Sequence, residues 1–129
     1  MNIANAPVEL NSVTIIKRFL DAWAAQDLET VLEIFAENAV YKGSQGDEPG
    51  TTYNGRKEIG PAVKTMFSAA GSTQLKVLEI YPFEGGATVT WHVDGNAANG
   101  APVNVLGIDI FIVIDGHITV KDAYRKVKS

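Results

Sequence analysis

The chain is predicted to fold as an α+β domain, with three N-terminal helices packed on a strongly curved, mainly antiparallel sheet. Three observations carry that expectation. Apolar residues recur at helical spacing through the first half of the chain. From Thr73 onward the period changes to two, and four apolar runs are separated by short Gly-bearing turns. The 129 residues suffice for one core and one pocket, and they contain no repeat, linker or low-complexity segment. Helices first and a meander afterwards give helices on one face of a sheet.

Residues 1–10 read as a loose arm of a single domain spanning 1–129. Ser12 is an N-cap candidate for a helix to about Ala25, whose Val13, Ile16, Phe19, Leu20 and Trp23 share one face. Asp27 caps a second helix carrying Leu28, Val31, Leu32 and Phe35. Ala39–Lys42 is a short strand. Gly43 to Gly55, rich in Gly, Asp, Pro and Thr, is a loop long enough to cover a pocket. A third helix over 56–69 turns Ile59, Val63, Met66 and Phe67 inward. Gly60-Pro61 should break its start, because proline removes a donor and crowds the carbonyl of Lys57. Strands at 74–83, 87–97, 103–114 and 117–127 follow, joined by Glu84-Gly85-Gly86, Asn99-Gly100 and Asp115-Gly116.

Composition excludes several functions. A net charge of −4 without a basic stripe argues against nucleic acid as a partner. Arg125, Lys126 and Lys128 read as a solvated strand end. No segment approaches a membrane span, and residues 1–6 lack the charged and apolar blocks of a signal peptide, so the cytoplasm is the expected compartment. Without cysteine there is no disulfide, thiol nucleophile or thiolate metal site. His92 and His117 lie on strands that do not bring them together, so no metal or other cofactor is expected.

The most informative residue is Asp109, in the middle of the apolar run Val103–Ile114. A carboxylate among such neighbours loses hydration unless it is paired or protonated. Its partner depends on the Asp115-Gly116 turn. A type I turn with a glycine bulge sets Asp109 opposite Lys121, which keeps it ionised. A type I′ turn sets it opposite Asp122, and the two acids would share a proton. The first arrangement sorts Ile108, Ile110 and Ile112 with Ile118, Val120 and Tyr124 onto one face. Strand 87–97 alternates Val89, Trp91 and Val93 against Thr88, Thr90, His92 and Asp94. A mixed face with Thr90, His92, Asp94, Asp109 and Phe111 is then expected to line a cavity under the helices. The apolar face with Trp91 and the isoleucines is expected to meet another subunit or the helices; left exposed it would be too large a patch for a monomer, so a homodimer is expected.

The pattern resembles the nuclear transport factor 2-like superfamily, the cone-shaped fold of ketosteroid isomerases, SnoaL-like polyketide cyclases and limonene epoxide hydrolases. It is carried by Ile15–Trp23 with Gln26-Asp27-Leu28-Glu29, by Phe35–Val40, by Tyr53–Ile59, and by Ile108–Phe111 with Asp115–Ile118. Against ketosteroid isomerases, the resemblance puts Asp109 at the protonated acid of the oxyanion hole; Phe19 replaces the tyrosine donor, and the general base falls near Gly43. Against epoxide hydrolases, it puts Tyr41 at the water-positioning tyrosine, Asp94 at the acid and His92 at the linking arginine. Gly43 replaces the asparagine, and Ala123 replaces the base unless a slip brings in Asp122. SnoaL-like cyclases share the aspartate at 109, while their late-strand histidine and aspartate correspond to Lys121 and Ala123.

Two functional readings follow. One is an enzyme moving a proton on a small hydrophobic carbonyl or epoxide compound, with Asp109 or the His92/Asp94 pair as acid or base and Tyr41 orienting an oxygen. Phe19, Trp23, Phe67, Phe111 and Lys121 are its expected substrate contacts. The other is a non-catalytic ligand-binding or dimerisation module of the same fold.

Overall fold

The computed structural model describes residues 8–46 and 50–126, with side chains from residue 11 onward. Helix α1 spans Val8–Ala24. Of the expected arm, residues 1–7 lie outside the described residues and 8–10 are helical. Nothing in Val8–Asn11 breaks a helix, so Ser12 is buried within α1 rather than capping it. Asp27 does cap α2 (Leu28–Ile34): its carboxylate accepts from the Thr30 amide at 3.2 Å and the Thr30 hydroxyl at 2.6 Å. Phe35 leaves the helix and opens β1 (Phe35–Lys42), which is longer than expected. The Arg56 guanidinium donates to the Phe35 carbonyl at 2.7 and 2.9 Å and fixes that exit.

Strand β2 (Thr52–Asn54) lies inside the segment expected to be loop, and residues 47–49 of that segment lie outside the described residues. Helix α3 (Gly55–Ala69) runs unbroken through Pro61. The proline forfeits one backbone bond, while the helix stays anchored on either side by buried Ile59 and Val63. Gly60 lets it approach α2: a Cβ there would already touch Leu32 at 3.4 Å. Strands β3 (Gln74–Phe83), β4 (Gly86–Asn96), β5 (Pro102–Ile114) and β6 (His117–Arg125) form the meander.

The six strands form one curled sheet in the order β2-β1-β6-β5-β4-β3. Neighbours are antiparallel except β1 and β6, which run parallel with Tyr41 beside Lys121. Extra residues at Leu78 and Thr119 bulge β3 and β6, which bends the sheet around the helices. Phe19 centres the core, edge-on to Phe35 at 5.1 Å and to Phe111 at 5.5 Å. Among the described residues no helix is long and apolar enough to cross a membrane.

The register corrects both expected partners of Asp109. Asp115 and Gly116 both have positive φ (51° and 78°), the type I′ pattern, and Ile114 lies opposite His117. The Thr119 bulge then shifts the pairing by one, so Asp109 lies opposite Ala123, with Lys121 its diagonal neighbour on the same face. It also turns Ile118, expected outside, into the core at 0% exposure. Strand β4 is the other correction. The five residues 97–101 between β4 and β5 set Val89 opposite Asp109, so Val89, Trp91 and Val93 share its inner face. Thr88, Thr90, His92 and Asp94 therefore face outward, beside Asn104, Leu106, Ile108, Ile110 and Ile112.

Trp91 lies across Gly107 in β5: a Cβ at residue 107 would come within 2.2 Å of the indole. Gly107→Ala is expected to displace that ring and lower stability by about 1–3 kcal/mol in urea denaturation, with shifted tryptophan emission. Unchanged stability and emission would contradict this packing.

Candidate functional site

A cavity of about 740 Å³ lies between α1, α3 and the inner face of the sheet. Trp23 from α1 and Phe67 from α3 meet edge to face at 5.2 Å along its helical wall. Tyr41 enters from β1, and Trp91 and Val93 from β4. Strand alternation sends Lys121, Ala123 and Arg125 of β6 inward together. The border beside β1 is formed by Gly43–Gly46 and Thr51.

On the cavity floor, Lys121 Nζ stands 3.6 Å from Asp109 Oδ2. Both residues are almost wholly covered, with 5% and 4% exposure. The contact is an ion pair longer than a normal N–H···O bond, so the ammonium donors are not saturated by it. Lys121 Nζ also lies 4.2 Å from the Tyr41 ring centroid and 4.6 Å from that of Trp23. Two aromatic faces favour a cation, more so away from water. The carboxylate has less support. Asp109 Oδ1 and Trp91 Nε1 are both buried without a hydrogen-bond partner among the described residues.

Burial pushes the Asp109 carboxyl above its ordinary value; the Lys121 ammonium and the nearby Trp91 indole N–H pull it back without cancelling the shift. For Lys121, burial opposes the charge, but the Asp109 carboxylate and Tyr41 outweigh it and the amine is raised. A raised lysine needs a charged carboxylate, whereas a raised carboxyl favours its neutral form. The aromatic cage belongs to the lysine alone, so Lys121 holds its proton and Asp109 is the member poised to take one.

Tyr41 is 5% exposed, and its hydroxyl donates to Met66 Sδ at 3.6 Å. Phe19, Trp23 and Phe67 border the cavity. Phe111, expected to contact substrate, lies instead behind it, packed on Phe19 with 0% exposure. His92 and Asp94 are not brought to Asp109: His92 Nε2 lies 2.6 Å from Asn104 Oδ1 on the outer face. An epoxide-opening constellation through Asp94 is thereby lost, and Asp122, facing out, cannot supply its base. Sequence reasoning missed Trp91 and Arg125. The odd connection at 97–101 is the signal that could have placed Trp91, and the spacing from Lys121 the one for Arg125. Among the described residues no acidic or histidine cluster is placed to hold a metal ion.

Removing the ammonium by Lys121→Met leaves Asp109 buried and unpaired, an expected loss of about 3–5 kcal/mol at neutral pH. The folded variant then binds a proton that the unfolded chain has released. Its stability should be full below the ordinary carboxyl value of 3.8 and fall as pH rises through the elevated folded value. Urea denaturation should find it more stable in mildly acidic than in neutral buffer, and an added Asp109→Asn should remove most of the slope. A profile parallel to the wild type would contradict the pairing.

A SnoaL-like domain family matches residues 16–121. A structure of an NTF2-like protein of unknown function from Mesorhizobium loti superposes with TM-score 0.80 at 23% identity, covering 95% of this chain and 96% of that one. A protein provisionally named a SnoaL-like polyketide cyclase, from Jannaschia sp. CCS1, gives TM-score 0.81 at 16% identity over 95% and 90% of the two chains. Another, provisionally named a ketosteroid isomerase, from Kribbella flavida, gives 0.76 at 13% identity over 94% and 82%. No curated protein shows significant sequence similarity to the chain. At these identities the structural neighbours speak for the cone-like fold alone. The family match spans most of the chain, and the protein belongs to the SnoaL-like domain family, with the fold of its NTF2-like structural neighbours.

Proposed function

We propose that this protein is a cofactor-independent isomerase or cyclase that moves a proton on a small hydrophobic carbonyl compound, with Asp109 as the base. One observation carries the reading: a carboxylate with elevated basicity, one of its oxygens unpartnered among the described residues, stands beside a caged ammonium in a cavity walled by Trp23, Phe67 and Trp91. The provisional names of two neighbours, a ketosteroid isomerase and a polyketide cyclase, agree with that class.

The chemistry would run as follows. Asp109 takes a proton from the carbon next to the carbonyl, and the C–H electron pair forms the enolate. The oxygen gains negative charge and accepts a hydrogen bond from the unsaturated Lys121 ammonium. Trp23, Phe67 and Trp91 hold the hydrocarbon body and exclude water, which strengthens that stabilisation. Where a C=C bond is conjugated with the enolate, Asp109 returns the proton to the far carbon, an isomerisation; alternatively the enolate carbon attacks a second carbonyl, whose C=O electron pair becomes an alkoxide that takes the proton back from Asp109, a cyclisation. Tyr41 orients the oxygen.

A panel of hydrophobic ketones, lactones and dicarbonyl compounds in heavy water provides the test, with C–H exchange followed by NMR. Wild type should exchange protons; Asp109→Asn should slow exchange by about 10²- to 10⁴-fold, while His92→Ala leaves it unchanged. Exchange undiminished in Asp109→Asn would overturn the assignment. The near-complete covering of Asp109 and Lys121 favours a second reading, a non-catalytic binder for which the ion pair is structural. That reading predicts retained ligand and no exchange in wild type.

We also propose that two copies pair through the outer sheet face, where Leu78, Leu106 and Tyr124 are 43%, 42% and 53% exposed around a shallow groove. Trp91 also borders this groove, although it shares the inner face with Asp109 and is only 7% exposed. Light scattering should give a dimer for wild type and a monomer for Leu106→Glu; a monomeric wild type would contradict the pairing.

A further inference from the structure

Resting on the reading of the cavity as a ligand site, we propose that its ligand carries a carboxylate, and that Arg125 is the anchor for it. The class is a hydrophobic oxo acid, with its carbonyl at Asp109 and Lys121 and its acid group at Arg125, beside Ser44.

Among the described residues three charged side chains border the cavity: Asp109, Lys121 and Arg125. The first two neutralise each other at 3.6 Å. Arg125 has no carboxylate among the described residues. Its Nε donates to Ser44 Oγ at 2.9 Å, and its two terminal nitrogens make no hydrogen bond among the described residues. Among the described residues the site therefore presents one uncompensated cation, within a chain of net charge −4. The guanidinium is partly buried, so its field is less screened than that of a surface arginine.

Geometry adds direction. Ser44 holds the guanidinium by one edge and leaves the opposite fork, the shape that receives a carboxylate through two parallel bonds. Lys121 and Arg125 project from the same face of β6 with their Cα atoms about 13 Å apart, which suits a ligand with polar groups at its two ends. Trp23, Phe67 and Val93 offer the apolar wall for the body between. A cavity of about 740 Å³ accepts a molecule of that size.

Binding separates this proposal from catalysis. Benzoate, phenylbutanoate and naphthylacetate, each with its neutral amide, are titrated by calorimetry and by quenching of Trp23 and Trp91. Wild type should prefer the longer acids over their amides by about 10- to 100-fold, and added salt should weaken the acids alone. Arg125→Gln should abolish the preference while amide binding persists, and Arg125→Lys should restore part of it. Asp109→Asn should keep the acid preference whatever it does to proton exchange. Acids and amides binding equally to wild type, no acid binding at millimolar concentration, or a preference surviving Arg125→Gln would each overturn the proposal. If Arg125→Gln fails to fold, the wild-type acid-to-amide ratio and its salt dependence decide.

Discussion

A carboxylate and an ammonium share the buried floor of the cavity, and several features of the fold serve to keep them there. Neither Asp109 nor Lys121 would remain charged at that depth alone, since isolated buried charges are expensive and shift towards neutrality. Each element contributes to the arrangement. The Thr119 bulge brings Lys121 diagonally beside Asp109, β1 sets Tyr41 next to Lys121 through a parallel pairing, and α1 adds Trp23 on its other side. The cage favours the cation, and the carboxylate keeps an oxygen that is unpartnered among the described residues. That asymmetry turns an ordinary buried ion pair into a group with something left to bind.

Much of the architecture could be read from residue patterning, because long amphipathic segments and Gly-marked turns are local signals. The Asp27 cap, the inward faces of α1 and α3 and the four meander strands all follow from spacing. Non-local features were harder. β2 is three residues long inside a polar segment, and the parallel β1–β6 contact joins opposite ends of the chain. α3 continues through Pro61 because burial on both sides outweighs one lost bond.

The site was legible in part: Phe19, Trp23, Tyr41, Phe67, Asp109 and Lys121 all border the cavity, whereas His92, Asp94 and Phe111 do not. Asp109 stood out because an acid in an isoleucine-rich strand has few reasons to be there. Its neighbours depended on strand parity, which a single extra residue reverses. Placing His92 and Asp94 beside it relied on polar residues grouping together, whereas the odd connection between β4 and β5 pairs Asp109 with Val89. The turn chemistry was one of the two alternatives considered, yet neither predicted Ala123 opposite Asp109, because the bulge lies beyond the turn. Lys121 still meets Asp109, by a diagonal contact rather than a direct one.

The titration of Asp109 itself is the most direct measurement of this account. Carboxyl ¹³C NMR of the wild-type protein, with Asp109→Asn to assign the resonance, reports its ionisation against pH. The account predicts a midpoint above the ordinary aspartate value of 3.8 and a further rise when Lys121 is replaced by Met. A midpoint at or below that value, unmoved by the lysine substitution, would contradict it.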